Sequence, residues 1–316
     1  MKISVLACES LGVRSLCCSV STKKHHIIID PGIALDRQRF QLSPHPFQIA
    51  RCHQLKHQIL TELKQADFVI VSHYHGDHCP ILDALPYQLS FKEISSELQD
   101  ELSSQTWFGK DELNLNDHMQ NRKHNLELFL KNRFIIPKSK KDTYISFSSS
   151  VPHGTHPSSV MMCRIQDENV TFVYGSDIHF FHPATIEQIV DWEPDVLLSS
   201  GPPIYLPMIK KKMIDTATKN IIALSQSIPM MILDHHLCRS IKGIQLIRKL
   251  DQKTRNRICT GADFMKKTPL YLEAKRKELY ADMPVPQNWM KKYFNYNFSF
   301  SGYLKWKNVV IREKNL

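Results

Sequence analysis

A four-layer αββα sandwich of the α/β class, two β-sheets face to face with helices on both outer sides, is the fold this sequence predicts. Strand-like apolar runs alternate with helical spacings, and the alternation occurs in two separate β-rich halves of the 316 residues. A dense run of metal-binding side chains directly after one strand-like run locates the function.

The first half opens on short apolar runs at 3–8, 14–20 and 26–30, separated by a turn at 21–24 and ended by Pro31-Gly32. The His/Gln-rich segment 46–65 spaces Phe47, Ile49, Leu55, Ile59, Leu60 and Leu63 as one face of a helix, and 66–71 returns to a strand. Between 85 and 141 the chain turns polar and charged, with helical patches at 91–102 and 125–132 and no β-rich run. That composition predicts a helical and loop insertion over the site, acting as a substrate lid. The second half predicts strands at 143–152, 160–165, 170–174, 196–199 and 230–233, and helices at 185–191, 208–227 and 241–251. The segment 285–316 is aromatic and basic, and the alternation across 294–300 predicts an edge strand closing one elaborated domain that spans 1–316.

Composition narrows the class. With 42% hydrophobic residues the chain can bury a full core, and no window approaches the roughly 18 apolar residues of a membrane span. The start of the chain, ending at Cys8, superficially resembles a lipoprotein cleavage site. Its apolar run is too short, and Glu9 and Arg14 follow it, so a first strand and a cytoplasmic protein are expected. Eight cysteines without a C-x-x-C pair are expected to stay reduced. A net charge of +10 favours anionic partners: a small-molecule or nucleotide-like anionic substrate, with nucleic acid an open option that no binding module supports. The lysine runs 138–141 and 210–212 read as solvated faces. The oligomeric state is left open.

The run His73-Tyr74-His75-Gly76-Asp77-His78 carries the chemistry. Imidazole nitrogens and a carboxylate are the donors Zn²⁺ takes at about 2.0–2.2 Å, and a strand ending in a tight turn aims them at one point. Further donors follow at strand ends: His153, Asp177 and His235. His156 and His236 lie close to His153 and His235, and the sequence does not decide which member of each pair points inward. The earlier member is nearer the strand end.

This order of donors, with Asp30-Pro31-Gly32 upstream, resembles the metallo-β-lactamase superfamily. The resemblance implies one metal held by His73, His75 and His153, a second held by Asp77, His78 and His235, and Asp177 bridging. It places Asp30 behind a ligand histidine, orienting it; Asp234 is expected either to do the same or to cap the following helix. The chain is similar, more closely, to an uncharacterised and largely archaeal branch of that superfamily, through the segments 72–78, 200–206, 233–239 and 272–280. Gly201-Pro202-Pro203 and Arg239 lie near the inferred site, and either could bind an anion.

The implied activity is a dinuclear metal-dependent hydrolase acting on a phosphodiester or another anionic ester through a metal-bridging hydroxide. Asp77 and Asp177 keep the metals close, and whichever of His156 and His236 is not a ligand protonates the leaving group. Two divalent ions are expected, zinc first, with manganese or iron as alternatives. The competing readings are a lactone, thioester or amide hydrolase and a di-iron redox enzyme. Di-iron members replace the second motif histidine with glutamate, and this chain keeps His75.

Overall fold

The computed structural model describes residues 1–137, 144–154 and 158–312. The first sheet runs β1 (Lys2–Cys8), β2 (Leu16–Ser21), β3 (His26–Ile29), β4 (Phe68–Val71), β5 (Thr106–Gly109) and β6 (Phe134–Ile135) in spatial order. The second runs from β7 (Ile145–Pro152) through β8 (Ser159–Asp167), β9 (Val170–Ser176), β10 (Val196–Ser199) and β11 (Met230–Leu233) to β12 (Arg257–Cys259). Each sheet starts with three antiparallel strands and continues in parallel. The parallel joints need crossover helices, and α1 (Pro46–Leu63) supplies the one between β3 and β4. Next come α2 (Phe91–Glu97), α3 (Asp117–Leu130), α4 (Pro183–Asp191), α5 (Lys211–Leu224) and α6 (Ile241–Lys253). The short α7 (Gly261–Phe264), α8 (Arg276–Asp282), α9 (Trp289–Phe294) and a small hairpin, β13 (Lys305–Trp306) with β14 (Val309–Val310), complete the chain.

Strand alternation builds the layers. Met161, Cys163, Ile165, Phe172, Tyr174, Leu198 and Ile232 join one core with residues of the first sheet, including Val5, Val20, Ile28 and Ile70. Their neighbours Val160, Met162, Val173, Leu197, Met231 and Leu233 face the other way and pack on Ile189, Ile221, Ile244 and Ile247 of the outer helices. The fold is the αββα sandwich the sequence predicts. Among the described residues no helix is long and apolar enough to cross a membrane, and all eight cysteines are buried and unpaired.

Two expectations need correction. The segment 85–141 does carry α2 and α3, but it also contributes β5 and β6 to the first sheet, and Trp107 is fully buried there. The short runs 106–109 and 134–135 lack the length that a periodicity argument needs. The segment 294–300 forms no strand: α9 ends at Phe294, and Phe298 and Phe300 pack as rings against Trp289, Tyr293 and Tyr303. Aromatic spacing there serves a cluster over α1, not a ladder. The strand start at 143 and the lysine run 138–141 lie outside the described residues. Lys210, Lys211 and Lys212 are exposed at the start of α5.

Candidate metal centre

Four strands deliver the donors. The turn after β4 carries His73, His75, Asp77 and His78; His153 follows β7, Asp177 follows β9, and His235 and His236 follow β11. Three residues beside these turns, Asp30, Ser176 and His235, have left-handed backbone (φ 49°, 54° and 44°), a conformation non-glycine residues rarely hold unless the surroundings impose it.

The structure brings the expected donors together. Ligand atoms of His73, His75, His153 and Asp177 form one group within 4.8 Å, and those of Asp77, His78 and His235 form another. Asp177 lies between them. Its Oδ2 is 2.9 Å from His236 Nε2, 3.3 Å from His78 Nε2 and from His153 Nε2, 3.6 Å from His235 Nε2 and 3.8 Å from His73 Nε2. Its Oδ1 is buried without a partner among the described residues. Ring nitrogens also face one another, His73 Nε2 and His75 Nδ1 at 2.9 Å, His78 Nε2 and His235 Nε2 at 3.3 Å. Converging lone pairs with a spare carboxylate oxygen are what divalent cations of the zinc type require, so the residues fit the metals the resemblance implies.

The surroundings aim these lone pairs. Asp30 Oδ2 accepts from His78 Nδ1 at 2.7 Å, which leaves His78 Nε2 as the inward acceptor. Asp30 is itself held by the Ser72 backbone N–H (2.7 Å), the Ser72 hydroxyl (2.5 Å) and the Tyr174 hydroxyl (2.7 Å). Asp30 thus lies behind the His78 ring, within hydrogen-bonding distance of it. Burial pushes His73 well below the ordinary imidazole range, with the His78 and His75 rings adding to it, and burial takes His75 down to about 3. Burial would lower His78 too, but the Asp177 and Asp30 carboxylates outweigh it and hold that ring above its usual range. Burial disfavours the charged forms of Asp77 and Asp177, yet Arg14 beside the first and the His78 and His236 rings beside the second hold both well below the usual carboxylate range.

Several sequence expectations change. His235 and His236 both point inward: His235 lies with Asp77 and His78, His236 on the far side of Asp177. His156 lies outside the described residues. Asp234 neither orients a ring nor caps the next helix. It accepts from the backbone N–H groups of Ser10 (3.0 Å), His235 (2.7 Å) and Gly261 (2.9 Å), tying three segments together. Arg239 is buried and already engaged, with Nε 2.6 Å from Glu9 Oε1 and Nη2 3.3 Å from Asp77 Oδ2, so it is not free for a substrate anion. Gly201, Pro202 and Pro203 are buried, and Gly201 lies against the Leu237 side chain.

Three site residues escaped the sequence reading. His179 is buried beside His153 and His236, with neither ring nitrogen partnered among the described residues, and a Cβ on Gly154 would lie 2.2 Å from its Nδ1. Its position two residues after Asp177 was the available signal. Arg14, with Nε 2.6 Å from Asp77 Oδ2, and Glu9, paired with Arg239, gave none, because both are far from the motif in sequence.

A ligand set of this kind at the strand ends of a four-layer α/β sandwich defines the metallo-β-lactamase superfamily, whose sequence model matches residues 15–189, more than half of the chain. The chain belongs to that superfamily and, within it, to the UPF0282 family. The UPF0282 protein of Methanosarcina mazei is 36% identical over 296 residues, covering 93% of this chain and 96% of that one. The UPF0282 protein of Saccharolobus solfataricus is 30% identical over 304 residues, covering 89% and 94%. Among solved structures, the short form of human tRNase Z aligns over 74% of this chain and 92% of its own, with 10% identity and a TM-score of 0.41. AidC, a dizinc quorum-quenching lactonase, aligns over 58% and 70%, with 15% identity and a TM-score of 0.34.

Proposed function

We propose that the chain is a metal-dependent hydrolase of a phosphodiester or another anionic ester. His73, His75 and His153 would hold one divalent cation and Asp77, His78 and His235 a second, with Asp177 shared between them; imidazole and carboxylate donors suit zinc. The observation that carries this reading is Asp177 Oδ2, surrounded at 2.9 to 3.8 Å by five imidazole nitrogens. When bound, such cations lower the pKa of water and offset negative charge that develops on the substrate.

The chain's own residues set up that chemistry. Asp30 fixes the His78 tautomer, and Ser72 Oγ, 3.0 Å from His73 Nδ1, does the same for His73. Arg14 and Arg239 pin Asp77 from two sides. Burial lowers the pKa of the His179 and His236 rings, which favours their neutral forms.

Elemental analysis and a substrate screen on one preparation test the reading. Two equivalents of zinc per chain, turnover of bis(p-nitrophenyl) phosphate and loss of both on Asp177→Ala are expected. Turnover confined to esters or lactones moves the substrate to carbonyl chemistry, and iron with oxygen-dependent activity removes the hydrolase.

A further inference from the structure

A cavity of about 300 Å³ opens beside the donor turn, lined by Arg14, Arg37, Arg122, Gln88, His75 and Asp77. That volume is at the lower end of the roughly 300–1,000 Å³ typical of small-molecule sites. Two of its walls are donor residues of the centre, so whatever fills it reaches the place where the cations would be held.

The three guanidinium groups are unevenly committed. Arg14 donates its Nε to Asp77, and its two terminal nitrogens make no hydrogen bond to a described residue. Arg122 spends one bond, Nη1 to the Tyr74 carbonyl at 3.1 Å. Arg37 is exposed and makes neither hydrogen bond nor ion pair among the described residues. Gln88 uses its Oε1 on the Leu85 N–H at 2.9 Å, and its amide N–H₂ makes no hydrogen bond to a described residue. The segments are held in register: Arg14 and Ala34 exchange both backbone hydrogen bonds, at 3.0 and 2.9 Å. Two carboxylates oppose this charge. Asp77 meets Arg14, Arg239 and His235, all through its Oδ2, and Asp36 lies 3.9 Å from Arg39. The remaining donors outnumber the remaining acceptors, and every donor is of the fork or amide type that matches oxygen anions.

We propose that this cavity is the recognition subsite for a phosphate monoester group of the substrate, which therefore carries two anionic centres, one at the donor cluster and one among Arg14, Arg37 and Arg122. A carboxylate has two oxygens and satisfies at most two forks, whereas a phosphate presents three and can meet all three arginines and the Gln88 amide. The subsite rests on the hydrolase reading for its purpose, but its binding can be measured without turnover.

The test is calorimetric titration of the purified, metal-loaded protein with inorganic phosphate, alongside Arg37→Gln and Arg122→Gln. Each variant should weaken phosphate binding about tenfold, the worth of one charge-assisted hydrogen bond, with zinc content unchanged. Arg37 is exposed, so its replacement leaves folding intact and keeps the test valid should the Arg122 variant misfold. Unchanged affinity in the Arg37 variant, no phosphate binding by the wild type, or equal affinity for acetate with the same arginine dependence each overturns the subsite. Arginine-dependent phosphate binding by a protein that turns over no ester retains the subsite and discards the hydrolase; turnover without such binding does the reverse.

Discussion

Asp30 and His78, 48 residues apart, meet through a 2.7 Å hydrogen bond that fixes which imidazole nitrogen faces the donor cluster. Replacing Asp30 by Asn keeps the shape and removes the charge behind the ring. Cation affinity at His78 should fall about 10- to 100-fold, as for other partners of ligand histidines. Competition against a chelator of known affinity measures it, with the circular dichroism spectrum unchanged.

The approach that permits this bond is backbone on backbone. A Cβ at Gly32 would lie 2.3 Å from the Cys79 nitrogen and 2.4 Å from the His78 carbonyl carbon, neither of which can swing aside. Gly32→Ala should destabilise by about 1–3 kcal/mol or more and lower metal content, because the two turns must separate. Denaturant midpoints and elemental analysis of the same sample check both effects.

Trp107 decides whether the segment 85–141 is a detachable lid. It is fully buried, on a strand paired with β4, and its indole donates to Gln105 Oε1 at 3.2 Å. Trp107→Ala should cost about 3–5 kcal/mol in global stability. A loss under 1 kcal/mol by urea unfolding would show that the segment is a separable flap.

His45 caps α1 in an unusual way. Its Nδ1 accepts from the Phe47 N–H at 3.1 Å while Nε2 donates to the Met283 carbonyl at 2.8 Å. Burial lowers its pKa to about 4, against an ordinary value of 6.5. Between those values the unfolded chain binds a proton the folded one refuses, so this stability is present above pH 6.5 and drains away as pH falls toward 4. The stake is roughly 3 kcal/mol. His45→Asn keeps a capping oxygen and cannot titrate, so its stability deficit against the wild type should shrink between pH 7 and pH 5 in urea titrations.

What could be read in advance followed from period and adjacency. Helix α1 and strands β4, β8 and β11 carry long or clean apolar patterns, and His73 to His78 declare themselves by crowding. The two-residue β6 and four-residue β5 are too short to show a period, and the aromatic cluster near Phe298 imitates strand alternation. Arg14 and Glu9 join the centre only because β1 and β2 pack against distant turns, which local spacing does not record. Arg239 reads as a free cation until its buried partners are known.

The donors are split between the two sheets, with the cluster at 73–78 on one and residues 153, 177 and 235 on the other. Since His235 follows His78 by 157 positions, a nascent chain must add nearly all of the second sheet before the enclosure can close. Any ion lodged there then clasps the halves, so shearing one sheet off the other also evicts the ion, and release of metal becomes a direct report that the layers have parted.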